Sequence, residues 1–402
     1  MAPEIPALSA TFVYEEILAL ERRGYRIAPF SVRYPAHLAA DQTELASRVT
    51  YLYEFPKLGI IFLGAIDLLR SGSRLPGAMR SLLCDMSTTG WLRLASWKLI
   101  FQFLAGARLS RSLINSGCSH LHIHFAHTPT QIGMYASALS GIPFTITAHA
   151  NDIFERGMLL PEKADRALRL LTISEHNRKY LSKLGIPPQK LAVVRCGVSL
   201  PQRLKAEKRT SGNSLQIGTL GRMVEKKGFD VLLKAARILR DEGMPLNLHI
   251  AGDGPLLDEL QQLADELGIG DATHFEGSLS HSKVAAWLQT LDVFVLACKM
   301  DKSGDMDGIP VVLMEAMSQS IPVVSTLISG IPELVVDGIT GLLAAPDDSN
   351  DLARQIRCIA ESPDLSATLA SHAARHVVEE FGQDVNLDRL IAAFNGQHER
   401  TH

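Results

Sequence analysis

The sequence predicts an α/β protein of two doubly wound domains, each built on a parallel sheet. Three observations lead to this prediction. Short apolar segments alternate with segments of helical periodicity through residues 215–326, which is the pattern of repeated βαβ units. The same alternation recurs, less regularly, in the first half of the chain. In addition, 402 residues exceed the length that one hydrophobic core commonly supports, so two domains are expected.

A polar segment is predicted to join the two domains. Residues 199–214, SLPQRLKAEKRTSGNS, include Pro201 and Gly212, which are typical of a linker. The predicted domains are therefore 1–198 and 215–402, and the last helix is expected to pack back on the N-terminal domain.

The elements of the C-terminal domain follow one another closely. Gly243 is placed to end the first helix, and Pro255 suits the first turn of the second. The periodicity predicts strands at 215–222, 246–254, 273–277, 292–298 and 321–326, and helices at 229–243, 255–269, 281–290 and 309–320.

In the N-terminal domain, apolar segments that end near polar residues or glycine are the predicted strands, at 121–126, 144–150, 168–174 and 190–197. Ligands of such sheets bind at the carboxyl ends of the strands. Two such domains that face each other would form a central cleft for two substrates.

Composition excludes several classes of protein. A chain with 46% hydrophobic and 21% charged residues is globular rather than disordered. Its five dispersed cysteines favour a reducing, cytoplasmic setting over a disulfide framework. The N-terminus lacks the pattern of a secretory signal. The longest uncharged apolar run, residues 58–66, is far shorter than the ~20 residues of a membrane-spanning helix.

The two halves differ in charge. Residues 1–200 carry 22 basic and 14 acidic side chains, whereas residues 201–402 carry 18 and 29. The basic excess is concentrated in residues 54–113, where Trp91 and Trp97 lie among the arginines. Basic amphipathic helices with aromatic residues suit an anionic membrane surface. Core helices with solvated arginines are the alternative interpretation.

Two carboxylates flank an apolar segment in DGIPVVLME. Gly308 and Pro310 predict that a helix begins here, so Asp307 precedes the helix and Glu315 lies on its second turn. A helix N-terminus attracts phosphate through its unpaired amides. An acid on either side of a phosphate suits a sugar nucleotide, since one carboxylate can bind a hexose and the other a ribose. A solvent-facing Glu315 is the alternative, and Asp305 of the same loop is an alternative to Asp307.

Residues 307–343, DGIPVVLMEAMSQSIPVVSTLISGIPELVVDGITGLL, resemble the signature of the retaining GT-B glycosyltransferases of family four. The signature has an acid, seven residues and a glutamate, here Asp307 and Glu315; much of the family has glutamate at the first position as well. LGRMVEKKGFD, residues 220–230, is similar to the phosphate-binding segment of the family. Within the family, the colanic-acid-type exopolysaccharide enzymes are most similar, and the resemblance covers nearly the whole chain.

The resemblance implies roles for individual residues. Arg222 and Lys227 would bind the donor diphosphate and stabilise the charge of the leaving group. TAHANDIF, residues 147–154, would place His149 near the reacting sugar; a buried histidine at a strand end is the alternative interpretation. His149 and Asp307 complete the predicted catalytic set. The residues expected to bind the nucleotide sugar are Arg222, Lys227, Gly252, Asp253, Gly308, Ile309, Pro310, Val311 and Glu315.

The N-terminus departs from the family pattern. Relatives have a strand before a P-x-L-S-E-T-F turn, whereas few residues precede PALSATF here and Ala10 replaces the glutamate. The first strand is therefore expected to be short or missing. This affects the acceptor-side loop near Ser9 and Thr11.

Other polar residues have simpler interpretations. Asn151 and Asp152 could cap the turn that follows His149. His122 and His124 share one strand face, but no acid or cysteine lies at ligand spacing, so no metal site is expected. The resemblance likewise implies a reaction without a metal or other cofactor.

The sequence is thus interpreted as a cytoplasmic hexosyltransferase that uses a UDP- or GDP-sugar. The resemblance implies retention of configuration and a saccharide acceptor that is lipid-linked, in the biosynthesis of an exopolysaccharide or another surface polysaccharide; nucleic acid is not an expected partner. A sugar-nucleotide epimerase of the same fold and a non-catalytic sugar-nucleotide-binding subunit are the alternatives. A phosphorylase is disfavoured, because no lysine motif for pyridoxal phosphate is evident.

Overall fold

A computed structural model describes residues 1–7, 11–35, 42–155, 157–197 and 214–395. The chain divides into two compact units. The first unit consists of Met1–Gly197 together with Asn386–His402, and the second unit is Val198–Val385. The predicted linker, except Ser214, lies outside the described residues, as do Ser9 and Ala10 of the predicted acceptor-side loop. Thr11 is the first residue of a helix.

Among its described residues, the first unit contains seven short strands. They are β1 (Ala2–Glu4), β2 (Phe30–Arg33), β3 (Thr50–Tyr51), β4 (Leu121–His124), β5 (Phe144–Ala148), β6 (Arg169–Thr172) and β7 (Leu191–Val193). Its helices are α1 (Thr11–Arg22), α2 (Thr43–Arg48), α3 (Lys57–Leu69), α4 (Leu75–Thr89), α5 (Leu94–Asn115), α6 (Thr128–Ser140), α7 (Ala150–Phe154), α8 (Leu160–Arg166) and α9 (Glu175–Lys183).

All pairings in the first unit are parallel, in the orders β1-β2-β3 and β4-β5-β6-β7. Met1 joins the two sheets, because its amino group donates to the carbonyl of His122 (2.7 Å) and its carbonyl accepts from the N–H of His124 (2.8 Å). The first strand is therefore present, with three residues, at the side of β4.

In its described residues, the second unit alternates strands and helices from Leu215 to Glu361 and continues into a further helix, Pro363–His376. Its strands are β8 (Leu215–Leu220), β9 (Leu246–Ala251), β10 (Thr273–Gly277), β11 (Val293–Val295), β12 (Val323–Thr326) and β13 (Leu342–Ala344). Its helices are α10 (Phe229–Asp241), α11 (Leu257–Glu266), α12 (His281–Leu288), α13 (Val311–Ser318), α14 (Ile331–Leu334), α15 (Ser349–Glu361) and α16 (Pro363–His376).

The six strands of the second unit form a parallel sheet in the order β10-β9-β8-β11-β12-β13. Successive residues of β11 point to opposite faces, so Val293 and Val295 join the core under α10 and α15, whereas Phe294 joins the core under α13. The strand order reverses between β8 and β11. In doubly wound sheets, ligands bind outside the carboxyl ends of the strands at this switch point.

The last helix, α17 (Gln383–Phe394), leaves the second unit and packs on the first. The N–H of Arg195 donates to the side-chain oxygen of Asn386 (3.0 Å), and Arg23 pairs with Asp388 (2.9 Å). Leu387 and Leu390 of α17 are buried against Leu20 and Val194, among other residues.

Two predicted helix starts need correction. Helix α11 begins at Leu257, so Pro255 precedes it rather than lying in its first turn. Helix α13 begins at Val311, and Pro310 stands directly before it in an extended conformation (φ −66°, ψ 124°). Proline suits both positions, because it lacks the N–H that a helix interior needs. Among the helices described, none combines the length and the hydropathy that crossing a bilayer requires.

Candidate active site

The loops after β8 and β9 touch through their backbones. Gly252 has a φ of +125°, and a Cβ atom there would lie 1.9 Å from the carbonyl oxygen of Gly221. The N–H of Met223 donates to the carbonyl of Asp253 at 2.8 Å. The exposed Asp253 carboxylate accepts from the N–H of Gly254 at 2.7 Å. Glycine is therefore required at position 252 by close packing, whatever ligand it also contacts.

A short 3-10 turn, Glu225–Lys227, connects the β8 loop to α10. Gly228 ends this turn with a φ of +66°, and a Cβ atom there would lie 1.8 Å from the carbonyl oxygen of Ala297, just beyond β11. The carbonyl of Lys226 also accepts from the N–H of Lys299 at 2.9 Å. The turn is thus seated on the carboxyl end of β11 and presents two lysines at the switch point.

The two lysines of this turn meet two carboxylates of the loop before α13. Lys227 Nζ lies 2.7 Å from an Asp307 carboxylate oxygen. Lys226 Nζ lies 2.7 Å from Asp305 and 3.6 Å from Asp307. The structure therefore brings together Lys227 and Asp307, for which the sequence predicted different roles, one at the phosphate and one at the sugar.

Burial and charge act in opposite directions in this cluster. Burial alone would raise the pKa of the Asp307 carboxyl, but the adjacent Lys227 and Lys226 hold it below its usual value. Burial likewise lowers the pKa of Lys227, and Asp307 more than offsets this, so the pKa of Lys227 is raised. The thiol of Cys298 donates to Asp307 (3.5 Å), and burial next to this carboxylate raises the pKa of Cys298 well above its usual value. The cluster thus holds two ammonium groups, an ionised Asp307 carboxylate and a neutral thiol.

Arg222 follows the β8 strand and has an exposed side chain. A Cβ atom at Gly221 would lie 3.5 Å from Lys227 Cε, so the lysine stem passes over the residue that precedes Arg222. Unlike Lys227, Arg222 forms no ion pair with any residue in the described part of the chain. It is a cation available to an anionic ligand.

Helix α13 carries the second predicted carboxylate. Gly308, Ile309 and Pro310 are buried before the helix, and Pro310 supplies no side-chain cap to its first turn. Val311 is the first helical residue, and Glu315 is half-buried on the second turn. The amides of this helix end and the Glu315 carboxylate therefore belong to the same segment that carries Asp307.

His149 lies in the first unit, immediately after β5. Its N–H donates to the Asp152 carboxylate (2.7 Å), and its ring is 4.7 Å from the ring of Phe12 and 4.6 Å from that of Phe125. Its Nε2 is buried and has no hydrogen-bond partner among the described residues. Burial, with His124 nearby, lowers the pKa of His149 to about 3, so the imidazole is neutral at physiological pH.

Asp152 organises the turn around His149. Its carboxylate accepts from the N–H groups of His149 and Ala126, which is the capping role that the sequence suggested. Burial raises the pKa of Asp152 to about 7, although these hydrogen bonds oppose the shift. The turn therefore holds the His149 backbone in place without using its imidazole.

The histidines of β4 have an acidic neighbour that the sequence argument lacked. Glu16 of α1 lies 2.9 Å from His124 Nε2 and 3.8 Å from His122 Nε2. These three ligand atoms lie within 4.8 Å of one another, a separation that a metal ion could bridge. His122 is already bonded through both ring nitrogens to Thr145 (2.8 Å) and Thr147 (3.1 Å).

Sequence reasoning missed three members of these clusters, Lys226, Cys298 and Glu16. Only the doubled lysine in EKKG was a visible signal. Cys298 and Glu16 reach their partners through sheet topology, which spacing along the chain does not display.

Two family profiles match the chain. One, described as glycosyl transferases group 1, covers residues 202–376, and the other, described as glycosyltransferase family 4, covers residues 87–202. Together they cover residues 87–376, which include parts of both units, and the glycosyl transferases group 1 match includes all the cations and carboxylates of the switch point. The chain belongs to the GT-B glycosyltransferases of family four.

Curated relatives match this glycosyltransferase over nearly its whole length. WcaL of Escherichia coli strain K12, named as a colanic acid biosynthesis glycosyltransferase, is 29% identical over 412 residues, or 97% of each chain. AmsK of Erwinia amylovora, an amylovoran biosynthesis glycosyltransferase, is 28% identical over 401 residues, or 96% of each chain.

Solved structures are similar to the glycosyltransferase in fold. A glycosyltransferase from Rickettsia africae has a TM-score of 0.71 and 14% identity, over 100% of this chain and 98% of the other. HepE of Anabaena, solved with UDP, has a TM-score of 0.61 and 19% identity, over 72% of this chain and 82% of the other. The glycosyltransferase thus combines a GT-B fold with a cation–carboxylate cluster in its second unit and a buried imidazole in its first.

Proposed function

We propose that this glycosyltransferase transfers a hexose from a UDP- or GDP-sugar, with retention of configuration, to a lipid-linked saccharide. The observation that carries the proposal is the group of residues at the switch point of the second unit. Arg222 lacks an ion-pair partner in the described chain, and Lys227 is held by Asp307 at 2.7 Å. A diphosphate is the ligand that two adjacent cations and a helix N-terminus favour.

The Lys227–Asp307 pair suits an exchange of partners when the donor binds. The donor diphosphate would draw Lys227 away from Asp307, which would leave the Asp307 carboxylate to accept hydrogen bonds from hexose hydroxyls. Glu315, on the second turn of α13, would accept from the ribose hydroxyls. Both carboxylates would then bind parts of the donor that only a sugar nucleotide carries together.

The chemistry follows from the charge that develops on the leaving group. As the bond between the anomeric carbon and the diphosphate oxygen breaks, Arg222 and Lys227 stabilise the negative charge that grows on the diphosphate. The acceptor hydroxyl forms its bond to the anomeric carbon on the same face, and its proton passes to the departing diphosphate oxygen. The nucleoside diphosphate leaves, and configuration is retained. Since the two cations supply the positive charge, we infer that no metal is needed.

His149 is proposed to contact the reacting sugar as a neutral hydrogen-bonding group. Burial lowers its pKa to about 3, so it carries no charge at physiological pH. Its buried Nε2 has no partner among the described residues, and a sugar hydroxyl would supply one.

A lipid-linked acceptor is supported by the surface of α3, α4 and the turn before α5. One face of α3 is apolar and exposed: Leu58, Ile61, Phe62 and Leu69 follow one another at helical spacing, with Leu58 80% and Leu69 82% exposed. In the turn before α5 and its first residues, Trp91, Leu92, Leu94 and Trp97 are also exposed, Leu92 completely. Apolar faces of this extent mark interaction sites in soluble proteins.

The exposed charged side chains of this surface are mostly basic. Asp67 is buried in ion pairs with Arg70 (3.3 Å) and Arg108 (3.1 Å). Asp85 is buried with Arg166 (2.6 Å) and Tyr135 (2.7 Å). Two of the three acids of residues 54–113 are therefore hidden, while most of its basic side chains remain exposed. We propose that this face lies on the anionic inner surface of the cell membrane.

The relatives support the biological setting of the proposal. WcaL is named for colanic acid and AmsK for amylovoran, and both names refer to polysaccharide biosynthesis. We therefore propose that this enzyme is a cytoplasmic, peripheral membrane glycosyltransferase of exopolysaccharide biosynthesis.

Thermal unfolding with a panel of UDP-, GDP- and ADP-sugars tests the donor assignment. A nucleotide sugar present at 100 times its dissociation constant should stabilise the protein by ~2.7 kcal/mol. The stabilising donor should also be hydrolysed slowly to free sugar, with and without EDTA. No stabilisation by any donor, together with no hydrolysis, would overturn the proposed function; hydrolysis abolished by EDTA would overturn the metal-free mechanism.

A further inference from the structure

A cavity of about 350 Å³ lies in the first unit. His127, which follows β4, and Glu155, which follows β5 and the short helix α7, contribute to its wall. The other polar lining residues are Lys98 and Gln102 of α5 and Thr128 and Gln131 of α6. The cavity is therefore at the carboxyl ends of two neighbouring parallel strands. His149 directly follows β5 and so lies at the same edge of the sheet.

Two buried amides in this lining are incompletely hydrogen bonded. Gln102 is 8% and Gln131 3% exposed. The carboxamide oxygen of each has no partner among the described residues. Buried polar groups in folded proteins are nearly always paired, so two neighbouring exceptions indicate that a ligand supplies the missing partners. Both are acceptors as placed, and hydroxyl groups are donors that fit them.

The packing of α5 on α6 holds these amides in place. A Cβ atom at Gly106 would lie 2.9 Å from the carbonyl oxygen of Ile132 and 3.0 Å from Tyr135 Cβ, so the two helices are in close contact one turn beyond Gln102 and Gln131. This close contact fixes the spacing of the two helices that carry the amides.

The side chains of α5 at the cavity change from polar to cationic to apolar towards the N-terminus of the helix. Ala95, Lys98 and Gln102 follow one another at helical spacing and line the cavity. Lys98 is exposed and has no ion-pair partner in the described part of the chain. The neighbouring Leu94 and Trp97 belong to the exposed apolar face, with 72% and 60% of their surfaces exposed. Buried amides, a cation and an apolar surface therefore occur in that order.

We propose that this cavity binds the first sugar of the acceptor, that Lys98 binds the phosphate that joins this sugar to its lipid, and that the lipid lies along Leu94 and Trp97. A lipid-phosphate-linked sugar carries hydroxyl groups, a phosphate and an apolar chain in that order. The buried amides, Lys98 and the apolar surface follow one another in the same order. This inference rests on the proposed function, since it assigns the acceptor subsite of that transferase.

Octyl phosphodiesters of glucose, galactose, mannose and fucose are suitable probes, with the matched octyl glycosides that lack phosphate. Titration calorimetry should find at least one phosphodiester that binds the wild-type protein more tightly than its glycoside. Lys98→Gln should abolish this preference. Gln102→Leu and Gln131→Leu should each lower the affinity for both the phosphodiester and the glycoside at least tenfold. Arg111→Gln, an exposed change on the same helix but outside the cavity, should change neither affinity.

Donor hydrolysis, measured on the same preparations, separates the two proposals. It should be unchanged in the cavity variants, because they leave the switch point of the second unit intact. If no phosphodiester binds, or if Lys98→Gln keeps the phosphate preference, while donor hydrolysis persists, the acceptor subsite is wrong and the proposed function stands. If the wild-type enzyme hydrolyses no donor, the proposed function itself fails. Because Lys98 is exposed, Lys98→Gln tests the acceptor subsite even if Gln102→Leu and Gln131→Leu fold poorly.

Discussion

Lys227 and Asp307 form an ion pair, with 2.7 Å between Nζ and a carboxylate oxygen, across the switch point of the sheet in the second unit. Lys227 follows β8 and Asp307 follows β11, so the pair closes the place where a nucleotide diphosphate would enter. The proposed donor must compete with Asp307 for the lysine.

Replacing Asp307 by asparagine should therefore have opposite effects on two ligands. UDP or GDP should bind several times more tightly, since Lys227 is no longer held by a carboxylate, whereas turnover with the nucleotide sugar should fall. Titration calorimetry and steady-state kinetics measure the two effects. Asp305→Asn is the matched control, because Asp305 pairs with Lys226 instead (2.7 Å). Weaker UDP and GDP binding by the Asp307 variant would contradict the competition.

Alanine at Arg222 or Lys227 should act mainly on the transition state, in which charge on the diphosphate is greatest. Turnover should fall by about 100-fold or more, the size of effect seen when one oxyanion-stabilising donor is removed. Initial rates at saturating donor measure it. A loss confined to the donor KM, with turnover preserved, would show that these residues bind the ground state only.

Glu315→Gln should weaken donor binding by ~1.5–3 kcal/mol, because a charge-assisted hydrogen bond to a hydroxyl becomes a neutral one. This corresponds to roughly a tenfold to hundredfold rise in the donor dissociation constant. The effect should be smaller for a 2′-deoxyribose donor analogue, which lacks one of the proposed partners. Equal losses for the two donors would remove the 2′-hydroxyl from the proposed contact.

His149 should make stability depend on pH. Burial lowers its pKa to about 3 in the folded protein, whereas an unfolded histidine titrates near 6.5. Between these values the unfolded state binds a proton that the folded state does not. The free energy of unfolding should therefore fall as pH drops from 6.5 towards 3, by at most ~1.4 kcal/mol per pH unit.

Urea unfolding at several pH values tests this expectation. His149→Gln should give a shallower decline than the wild type below pH 6.5 and a constant difference above it. The Asp152 carboxyl, with a pKa raised to about 7 by burial, contributes in the opposite direction, but it is present in both proteins. Identical slopes in the two proteins would mean that His149 does not titrate as a buried neutral group.

Membrane binding should depend on both charge and apolar contact. Lys57, Arg80, Arg93 and Arg111 are exposed basic residues of segment 54–113, and their replacement by glutamine should reduce flotation with vesicles that contain anionic lipid. The loss should resemble that caused by raising salt, which shortens the screening length from ~10 Å at 0.1 M to ~3 Å at 1 M. Leu58→Ser with Phe62→Ser should reduce the remaining, salt-resistant binding.

The set of charge variants excludes Arg108, because it pairs with the buried Asp67 and its loss would leave a carboxylate uncompensated. Arg23→Gln, at an exposed residue outside the segment, is the comparison variant. Equal flotation on neutral and anionic vesicles, or none on either, would contradict the proposed surface.

The alternation of the second unit was predictable from the sequence, because apolar periodicity distinguishes strands such as β8 and β9 from the helices between them. The membership of Arg222, Lys227, Asp307 and Glu315 in one unit was predictable from motif spacing. The ion pair between Lys227 and Asp307 was not, since it depends on β8 and β11 being neighbours in the sheet.

Burial was the other property that the sequence concealed. Asp67 and Asp85 count as surface charges in a composition, but each is buried and paired with an arginine from another part of the chain. Glu16 reaches His124 across 108 residues, so no local pattern could reveal it. Gly252 was predicted as a ligand contact, whereas its backbone conformation and the nearby Gly221 carbonyl provide a packing reason for glycine.

The return of α17 to the first unit has a consequence for protein engineering. Along the chain, the second unit is an insertion within the first, because Asn386–His402 belong to the same compact unit as Met1–Gly197. An expression fragment that stops at residue 197 would expose the apolar surface that Leu387 and Leu390 cover. Chimeras designed to exchange donor specificity should therefore splice at two junctions, one near residue 198 and one near 385, and retain the native C-terminal helix.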